Sequence, residues 1–310
     1  MLNSGGFFYW LPMRYEKPAL TFEEQADLLI TRGLIVDRTL LINQLRSVSY
    51  YRLRGYTAPF QDENDRFRAG TTFDEIWRRY TFDRRLRLLV MDPIERIEVA
   101  VRTALAYELA HSSGPFGYTE PAHLPNLTGD RLGQFLSRLY ELTQQSQEPF
   151  VLHFRRKYSD HHGYLPIWMA AEIIPFGTTL TLLRGVRKGV RARIATRFGV
   201  ADDVLFSWMK SLNTVRNICA HHGRLWNRVL GMKPKIPRGR KHREWHDPTS
   251  VPNDRIYAVL TVCKYSLDLI APQSQWPQRL ESLLEEYAEI PLHHLGFVAG
   301  WKNSAIWKQY

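Results

Sequence analysis

Cysteine is scarce in this sequence, with only Cys219 and Cys263 among 310 residues. Two distant cysteines form neither a disulfide framework nor the Cys-x2-Cys pairs of a structural zinc site. This scarcity fits a protein of the reducing cytoplasm. We therefore predict a cytoplasmic protein that binds no metal and no other cofactor.

Long apolar runs are also missing. No stretch approaches the roughly 18 uncharged apolar residues of a transmembrane helix, so we expect no contact with a membrane. The aromatic residues 7–11 lack a following small-residue cleavage site, and we interpret them as neither a signal peptide nor an anchor. The motifs His-Glu-x-x-His, Walker A, Gly-x-Ser-x-Gly and Gly-x-Gly-x-x-Gly do not occur. Their absence argues against zinc proteases, P-loop enzymes, serine hydrolases and dinucleotide-binding enzymes.

Negative charge is the scarcer sign, because 31 Asp and Glu residues stand against 42 Lys and Arg residues. The formal net charge is +11 and the isoelectric point is about 9.7. Such an excess favours a polyanionic partner such as nucleic acid. Most of the cations are arginines, whose planar guanidinium can bind a phosphate through two parallel hydrogen bonds. A basic protein without such a partner would have the same composition, so charge alone leaves both interpretations open.

The hydrophobic pattern predicts an all-α fold, because apolar residues recur with helical spacing and no convincing β pattern occurs. No long polar linker divides the chain. We predict one all-helical domain over residues 1–310, with an N-terminal extension at 1–14 and a C-terminal helix and tail at 272–310. The predicted helices cover residues 21–33, 37–48, 72–111, 129–146, 148–158, 166–184, 187–198, 202–228, 254–271 and 276–289. The helix over 72–111 is predicted to bend or restart at Asp92-Pro93. Residues 49–71 are aromatic and are predicted to be rich in turns.

The most informative segment is Arg216-Asn217-Ile218-Cys219-Ala220-His221, followed directly by His222. A histidine titrates near neutral pH and can take the proton from an RNA 2′-hydroxyl. An arginine can bind the scissile phosphate and stabilise the charge that develops on it. We therefore take Arg216, Asn217 and His221 as candidate catalytic residues for metal-free RNA cleavage. A short Arg-x4-His spacing is common by chance, and such residues on a helix are more often surface or structural groups.

On an ideal helix over residues 202–228, Asn217, Arg224 and Arg228 share the face of His221. We predict that this polar stripe meets RNA. His222 falls in the middle of an apolar face that also carries Trp226, so these two residues are predicted to be structural or to form a secondary site. Arg216 lies well round from His221, so one phosphate is held by both only if the helix distorts or a second subunit contributes.

Other basic residues are candidates for phosphate contacts. The segment 237–245 is predicted to be a flexible RNA-binding loop, with Trp245 available for base stacking. Its basic candidates are Arg238, Arg240, Lys241 and Arg243. The arginine-rich stretch 184–197 is either a phosphate-tracking stripe or a solvated helix face. Glu95, Glu98 and Arg102 have spacings that favour intrahelical ion pairs over an acid–base group.

Six blocks together resemble one protein family: residues 17–25, 50–56, 80–87, 94–98, 166–172 and 216–228. In this order along the chain they resemble the Abi family of bacterial abortive-infection proteins (AbiD/AbiF-like), members of the HEPN superfamily. The block around His221 is the most specific of them. The resemblance implies an all-α fold with a HEPN-like helical bundle core and additional N- and C-terminal helices.

The resemblance also implies an activity: metal-independent cleavage of RNA during phage defence, with 2′,3′-cyclic phosphate ends as products. It assigns the family's catalytic arginine and histidine to Arg216 and His221, with Asn217 as the polar neighbour. It further implies a homodimer with a composite site and a noncoding RNA that acts as an antitoxin. The alternative is a non-catalytic RNA-binding or regulatory HEPN protein. A DNA-binding factor is least favoured, because no helix-turn-helix pattern occurs.

Overall fold

The computed structural model describes residues 18–308, and it confirms the all-α prediction. Within that range there are helices and two isolated β-bridges but no β-strand. The predicted N-terminal extension, residues 1–14, lies outside the described residues. The α-helices are α1 (Phe22–Thr31), α2 (Arg38–Ser47), α3 (Tyr50–Thr57), α4 (Phe73–Ser113), α5 (Asp130–Gln145), α6 (Pro149–Tyr158), α7 (Ile167–Ile173), α8 (Phe176–Gly185), α9 (Lys188–Thr196), α10 (Asp202–Ala220), α11 (Ile256–Ile270) and α12 (Trp276–Glu286).

The chain divides into two compact units, with the boundary between Tyr80 and Thr81, inside α4. α4 is continuous through Pro93, so it does not restart there. The assignment of one domain to the whole chain stays a prediction.

In the first unit, side chains cap the starts of two helices. Thr21 forms a capping box with Glu24 at the start of α1, and the Asp37 carboxylate accepts from the Leu40 N–H at the start of α2. α1 packs against α2 and buries Leu29 and Leu41. These caps satisfy backbone N–H groups that a helix start would otherwise leave unpaired.

The segment from Tyr50 to Thr57 is helical, whereas the sequence predicted turns. Ser49 accepts from the Arg52 N–H and so caps α3, and Leu53 and Tyr56 are buried. Aromatic residues and Gly55 lower the helical propensity of this stretch. Burial of one face outweighs that preference, which is why composition gave the wrong prediction here.

In the second unit, α10 packs against α8, α9 and α11. α11 is the most buried helix of these, because apolar residues occur on all its faces. Within this unit, α4 contributes a buried stripe at three- and four-residue spacing: Phe82, Leu86, Val90, Ile94, Ile97 and Val101. The contacts with α8, α9 and α11 fix the position of α10, which carries Arg216 and ends at His221.

The C-terminal residues 272–308 form α12 and an aromatic segment that packs on the second unit. Trp276 is fully buried and its indole N–H donates to the Leu89 carbonyl oxygen at 2.8 Å. Trp307 lies 6.2 Å from the ring of Tyr257 and donates to Thr261 at 3.0 Å. The C-terminal segment is therefore part of the hydrophobic core of this unit.

The helices described between residues 18 and 308 include no segment with the length and hydropathy of a membrane-spanning helix.

Candidate active site at the end of α10

The motif helix is shorter than the sequence predicts. α10 ends at Ala220, not near Arg228, and His221 is its C-cap residue. The Gly223 N–H donates to the Ile218 carbonyl at 2.7 Å, and the His222 N–H donates to the Cys219 carbonyl at 3.0 Å. These two bonds form a Schellman motif, which satisfies the last carbonyl groups of a helix.

The residue at the left-handed position of this motif is His222, with φ of 57°. Glycine is usual there, because a Cβ atom in the left-handed region costs about 1–2 kcal/mol. His222 is exposed, so the prediction that it packs in an apolar helix face was wrong. His222 lies beyond the end of the helix, so a helical wheel does not give the direction of its side chain.

Gly223 permits the close approach that completes the turn. A Cβ atom at this position would lie 3.0 Å from the Ile218 side chain and 3.2 Å from its carbonyl oxygen. Both distances are tighter than an ordinary van der Waals contact. The turn directs the chain away from the axis of α10 and leaves the side chain of His221 exposed.

Arg216 and Asn217 lie one turn before the end of α10, and both are half-buried. The Arg216 guanidinium donates to the Asn217 side-chain oxygen at 3.3 Å. The Asn217 backbone carbonyl accepts from the His221 N–H at 3.0 Å. Asn217 therefore contacts Arg216 through its side chain and His221 through its backbone.

An ion pair of α4 lies beside Arg216. Arg102 binds Glu98 one helical turn away, and only 16% and 14% of the two side chains are exposed. Burial raises the pKa of the Glu98 carboxyl, while the positive charges of Arg102 and Arg216 oppose that shift. The predicted ion pairing of Glu98 is confirmed. The proximity of Arg216 was not predicted, because it depends on the packing of two helices.

Arg216 and His221 are not joined directly. No hydrogen bond links their side chains within residues 18–308. Five residues of ideal helix place them about 140° apart around the axis. One chain therefore presents Arg216 toward Glu98 of α4 and His221 toward solvent.

Asp83 holds the chain that follows the turn. Its carboxylate is completely buried and accepts from the N–H groups of Leu225 at 3.0 Å and Trp226 at 2.7 Å. It also pairs with the buried Arg87, four residues along α4. Leu225 and Trp226 are buried, as expected of structural residues. The sequence offered one signal: Asp83 and Arg87 have helical spacing among apolar residues.

Cys219 lies inside the motif but has no exposed thiol. Its side chain is buried, and burial and the nearby Asp83 raise the pKa of the thiol to about 12. The thiolate is the reactive form of cysteine, so Cys219 is a packing residue. Within residues 18–308, no group of three or more His, Cys, Asp or Glu side chains is placed to hold a metal ion.

Arg224 and Arg228 follow the helix and do not continue its polar stripe. Arg228 is exposed and its guanidinium donates to the Arg224 carbonyl at 3.2 Å, while Arg224 is half-buried. The prediction that both residues share a helix face with His221 was wrong, because it assumed that the helix continues through residue 228. Their contact with RNA stays a prediction.

The basic segment 238–243 overlaps a 3-10 turn, Arg240–Trp245. Arg238, Arg240, Lys241 and Arg243 are exposed. Trp245 is fully buried, with its ring 5.3 Å from Trp208 and 5.2 Å from Tyr265. The prediction that Trp245 stacks on bases was therefore wrong, because this ring anchors the segment to the core.

Three of the six basic residues in the arginine-rich stretch 184–197 form ion pairs. Arg193 and Arg197 both bind Glu108, and Arg191 binds Asp202 at 3.3 Å. These contacts favour the interpretation as a solvated helix face over that of a phosphate-tracking stripe.

The model of the Abi-like protein family matches residues 43–227, which is more than half of the chain. The chain therefore belongs to the family of Abi-like abortive infection proteins. The matched region ends at Asn227, directly after the turn that Asp83 holds. No curated protein and no solved structure matches the chain.

Proposed function

We propose that this protein is a metal-independent endoribonuclease of the HEPN type, which cleaves RNA in the cytoplasm to arrest an infected cell. The observation that carries this proposal is the exposed imidazole of His221 at the end of α10, five residues after the half-buried Arg216. The turn after α10 is fixed by Asp83, so the imidazole projects from a rigid support. Membership of the Abi-like family supports a role in abortive infection.

In the proposed reaction, His221 takes the proton of the 2′-hydroxyl group. The 2′ oxygen attacks phosphorus, and the bond between phosphorus and the 5′ oxygen breaks. That oxygen leaves with the electron pair and takes a proton from water. Arg216 stabilises the negative charge of the transition state, and Asn217 and Glu98 position its guanidinium. The products are a 2′,3′-cyclic phosphate and a 5′-hydroxyl end.

One observation favours the alternative, a non-catalytic RNA-binding or regulatory HEPN protein. The Arg216 guanidinium donates to Asn217 and is near Glu98, and it makes no hydrogen bond to His221 within residues 18–308. A group that neutralises a carboxylate is less available to a substrate phosphate. The two functions differ in whether RNA is cut.

Cleavage in the presence of EDTA tests the proposal. We expect the purified protein to cut total bacterial RNA at an unchanged rate when EDTA is added. The new 5′ ends should accept phosphate from polynucleotide kinase without prior dephosphorylation, because they carry hydroxyl groups. Intact RNA at a molar excess of protein would reject the nuclease in favour of the RNA-binding alternative, and 5′-phosphate ends would reject the mechanism.

We further propose that the active form is a homodimer, in which Arg216 of one chain and His221 of the other bind the same phosphate. The angle of about 140° between them within one chain motivates this arrangement. Two-fold symmetric dimers are also the commonest homo-oligomers. Such a site would bring a second His221 and a second Arg216 to the same cleft.

Subunit exchange between inactive variants tests the composite site. Equal amounts of Arg216→Ala and His221→Ala protein should recover roughly a quarter of wild-type activity, since half of the dimers are mixed and each has one intact site. Exchange is verified independently with two different affinity tags. A mixture that exchanges but stays inactive would contradict the composite site, and an active monomer would contradict the dimer.

The exposed basic residues of segment 238–243 are proposed to bind the RNA backbone, either of the substrate or of a noncoding antitoxin RNA. Changing Arg238, Arg240, Lys241 and Arg243 to Gln removes up to four phosphate contacts. The slope of log affinity against log salt should then fall by up to about 3, because each contact with a single strand contributes about 0.7. Binding of a 2′-O-methyl oligonucleotide measures this without cleavage.

The matched control changes four exposed basic residues that already bind carboxylates. These are Arg138, Arg193, Arg197 and Lys235. Their replacement by Gln alters the net charge equally, so a specific contribution of segment 238–243 predicts a clearly smaller change of slope. Equal slopes for both variants would show that only total charge matters.

A further inference from the structure

A cavity of about 600 Å³ lies between α5 and α6, on elements that contribute no residue to the Arg216–His221 site. α5 lines it with Tyr140, Thr143 and Gln144, which share one helix face. α6 and the chain after it also line the cavity, together with residues 162–164. The residues contributed by α6 and its end are Leu152, Phe154, Arg155, Arg156 and Ser159. The volume is in the range of small-molecule sites.

The formally charged side chains that line this cavity are all positive. Arg155 and Arg156 line it, and no Asp or Glu side chain does. The Arg155 guanidinium donates to the Gln144 carbonyl at 3.2 Å, which holds it across the space between the two helices. Neither arginine has a carboxylate partner within residues 18–308. Two guanidinium groups without a counterion form a site for an anion such as phosphate.

Aromatic rings lie beside these cations. Tyr140 is 49% exposed and Tyr164 is half-buried at the cavity wall. His162 is held in place by stacking on Phe116, with ring centroids 4.3 Å apart and planes 14° from parallel. A flat aromatic ligand can stack on an exposed tyrosine, and the hydroxyl of Ser159 can donate to it.

Basic residues at the end of a helix also have a simpler explanation. Arg155, Arg156 and Lys157 lie in the last turn of α6, where positive charge stabilises the helix dipole. That effect requires no cavity and no aromatic neighbour. Lys157 shares this position in the last turn but does not line the cavity, so the helix dipole is the explanation that applies to it.

We propose that this cavity binds a nucleotide, with its base stacked on Tyr140 and its phosphate held by Arg155 and Arg156. The nucleotide is either free or one unit of an RNA strand, since both present the same base and phosphate. In the second case the cavity is an RNA contact outside the cleavage site. Binding at this cavity does not depend on cleavage, because the cavity shares no residue with the Arg216–His221 site.

Binding to the whole protein tests the proposal, with calorimetry as the readout. The probes are the four nucleoside 5′-monophosphates, a 2′-O-methyl pentanucleotide that cannot be cleaved, adenosine and inorganic phosphate. We expect a nucleotide or the pentanucleotide to bind more tightly than adenosine and phosphate. Binding of monophosphates would assign a free nucleotide, and binding of the pentanucleotide alone would assign an RNA strand. No saturable binding of either up to millimolar concentration would overturn the proposal.

Three variants locate the site. Arg156→Gln should weaken binding of the nucleotide probe about tenfold or more, since a hydrogen bond to a charged group is worth about 1.5–3 kcal/mol. Tyr140→Ala should weaken it about tenfold but leave phosphate binding unchanged. Lys157→Gln is the matched control, because it removes the same charge from the same helix end and should have little effect.

Equal effects of Arg156→Gln and Lys157→Gln would overturn the site in favour of diffuse attraction. An unchanged affinity in Tyr140→Ala would overturn the stacking. All three residues are exposed, so the variants are expected to melt like the wild type. RNA cleavage is measured in parallel. If cleavage persists while nucleotide binding is absent, only the cavity proposal fails, and if binding occurs without cleavage, only the nuclease proposal fails.

Discussion

His221→Ala protein is expected to cleave RNA about 10²–10⁴-fold more slowly than the wild type, which is the range for removal of a general acid–base group. The imidazole is exposed and makes no side-chain hydrogen bond within residues 18–308. Its removal should therefore change the melting temperature little. Single-turnover cleavage of a labelled RNA, beside thermal melting of the same samples, measures both quantities.

His222→Ala is the matched control for this prediction. His222 is the same residue type, is also exposed and is adjacent in the chain, but it occupies the left-handed position after α10. Its side chain therefore projects from a different backbone conformation. We expect His222→Ala to retain cleavage within a few-fold of the wild type. An equal loss of rate in both variants, with unchanged melting, would contradict the assignment of His221 as the proton acceptor.

Local signals predicted the parts of the fold that depend on neighbouring residues. The Thr-x-x-Glu patterns that begin at Thr21 and Thr72 indicate capping boxes from the sequence alone, since a capping box needs only residues three apart, and both boxes are present. The helix predicted at 166–184 divides into α7 and α8, with Pro175 as the N-cap of α8, and proline inside a helical pattern is itself a signal of such a break. Helix boundaries of this kind are determined locally, by proline and by capping side chains.

The end of α10 could not be predicted in the same way. Apolar spacing continues through Leu225 and Trp226, and the usual left-handed glycine comes one residue later than the structure requires, at Gly223. A continued helix would bond the Leu225 N–H to the carbonyl four residues earlier, but the structure bonds it to Asp83, 142 residues away in the sequence. A helical wheel contains no information on such a distant partner. The same limit applies to Trp245, whose burial depends on Trp208 and Tyr265.

Asp83→Ala is expected to lower the free energy of unfolding by about 3–5 kcal/mol, because breaking a buried ion pair leaves an uncompensated charge. The substitution removes this carboxylate from the buried Arg87 guanidinium and from the N–H groups of Leu225 and Trp226. Whole domains are stable by only about 5–15 kcal/mol. Urea unfolding, followed by circular dichroism, measures the loss.

Asp83→Asn keeps one carbonyl oxygen for the two N–H groups but removes the charge, so it should lose less stability than Asp83→Ala. Glu141→Ala is the control, since Glu141 forms an exposed ion pair with Arg138 and should cost less than about 1 kcal/mol.

Adding Arg87→Met to Asp83→Ala separates the two roles of Asp83, because it also removes the buried positive charge that Asp83 pairs with. If Asp83 acts through Arg87, the double variant is more stable than the sum of the single losses predicts. If Asp83 acts mainly by holding the turn, the double variant gains nothing, and cleavage stays low even at temperatures where the protein is folded. A loss of unfolding free energy below about 1 kcal/mol in Asp83→Ala would contradict both roles of Asp83, since removal of a buried carboxylate with these partners should cost more than that. The turn that presents His221 would then be held by other contacts.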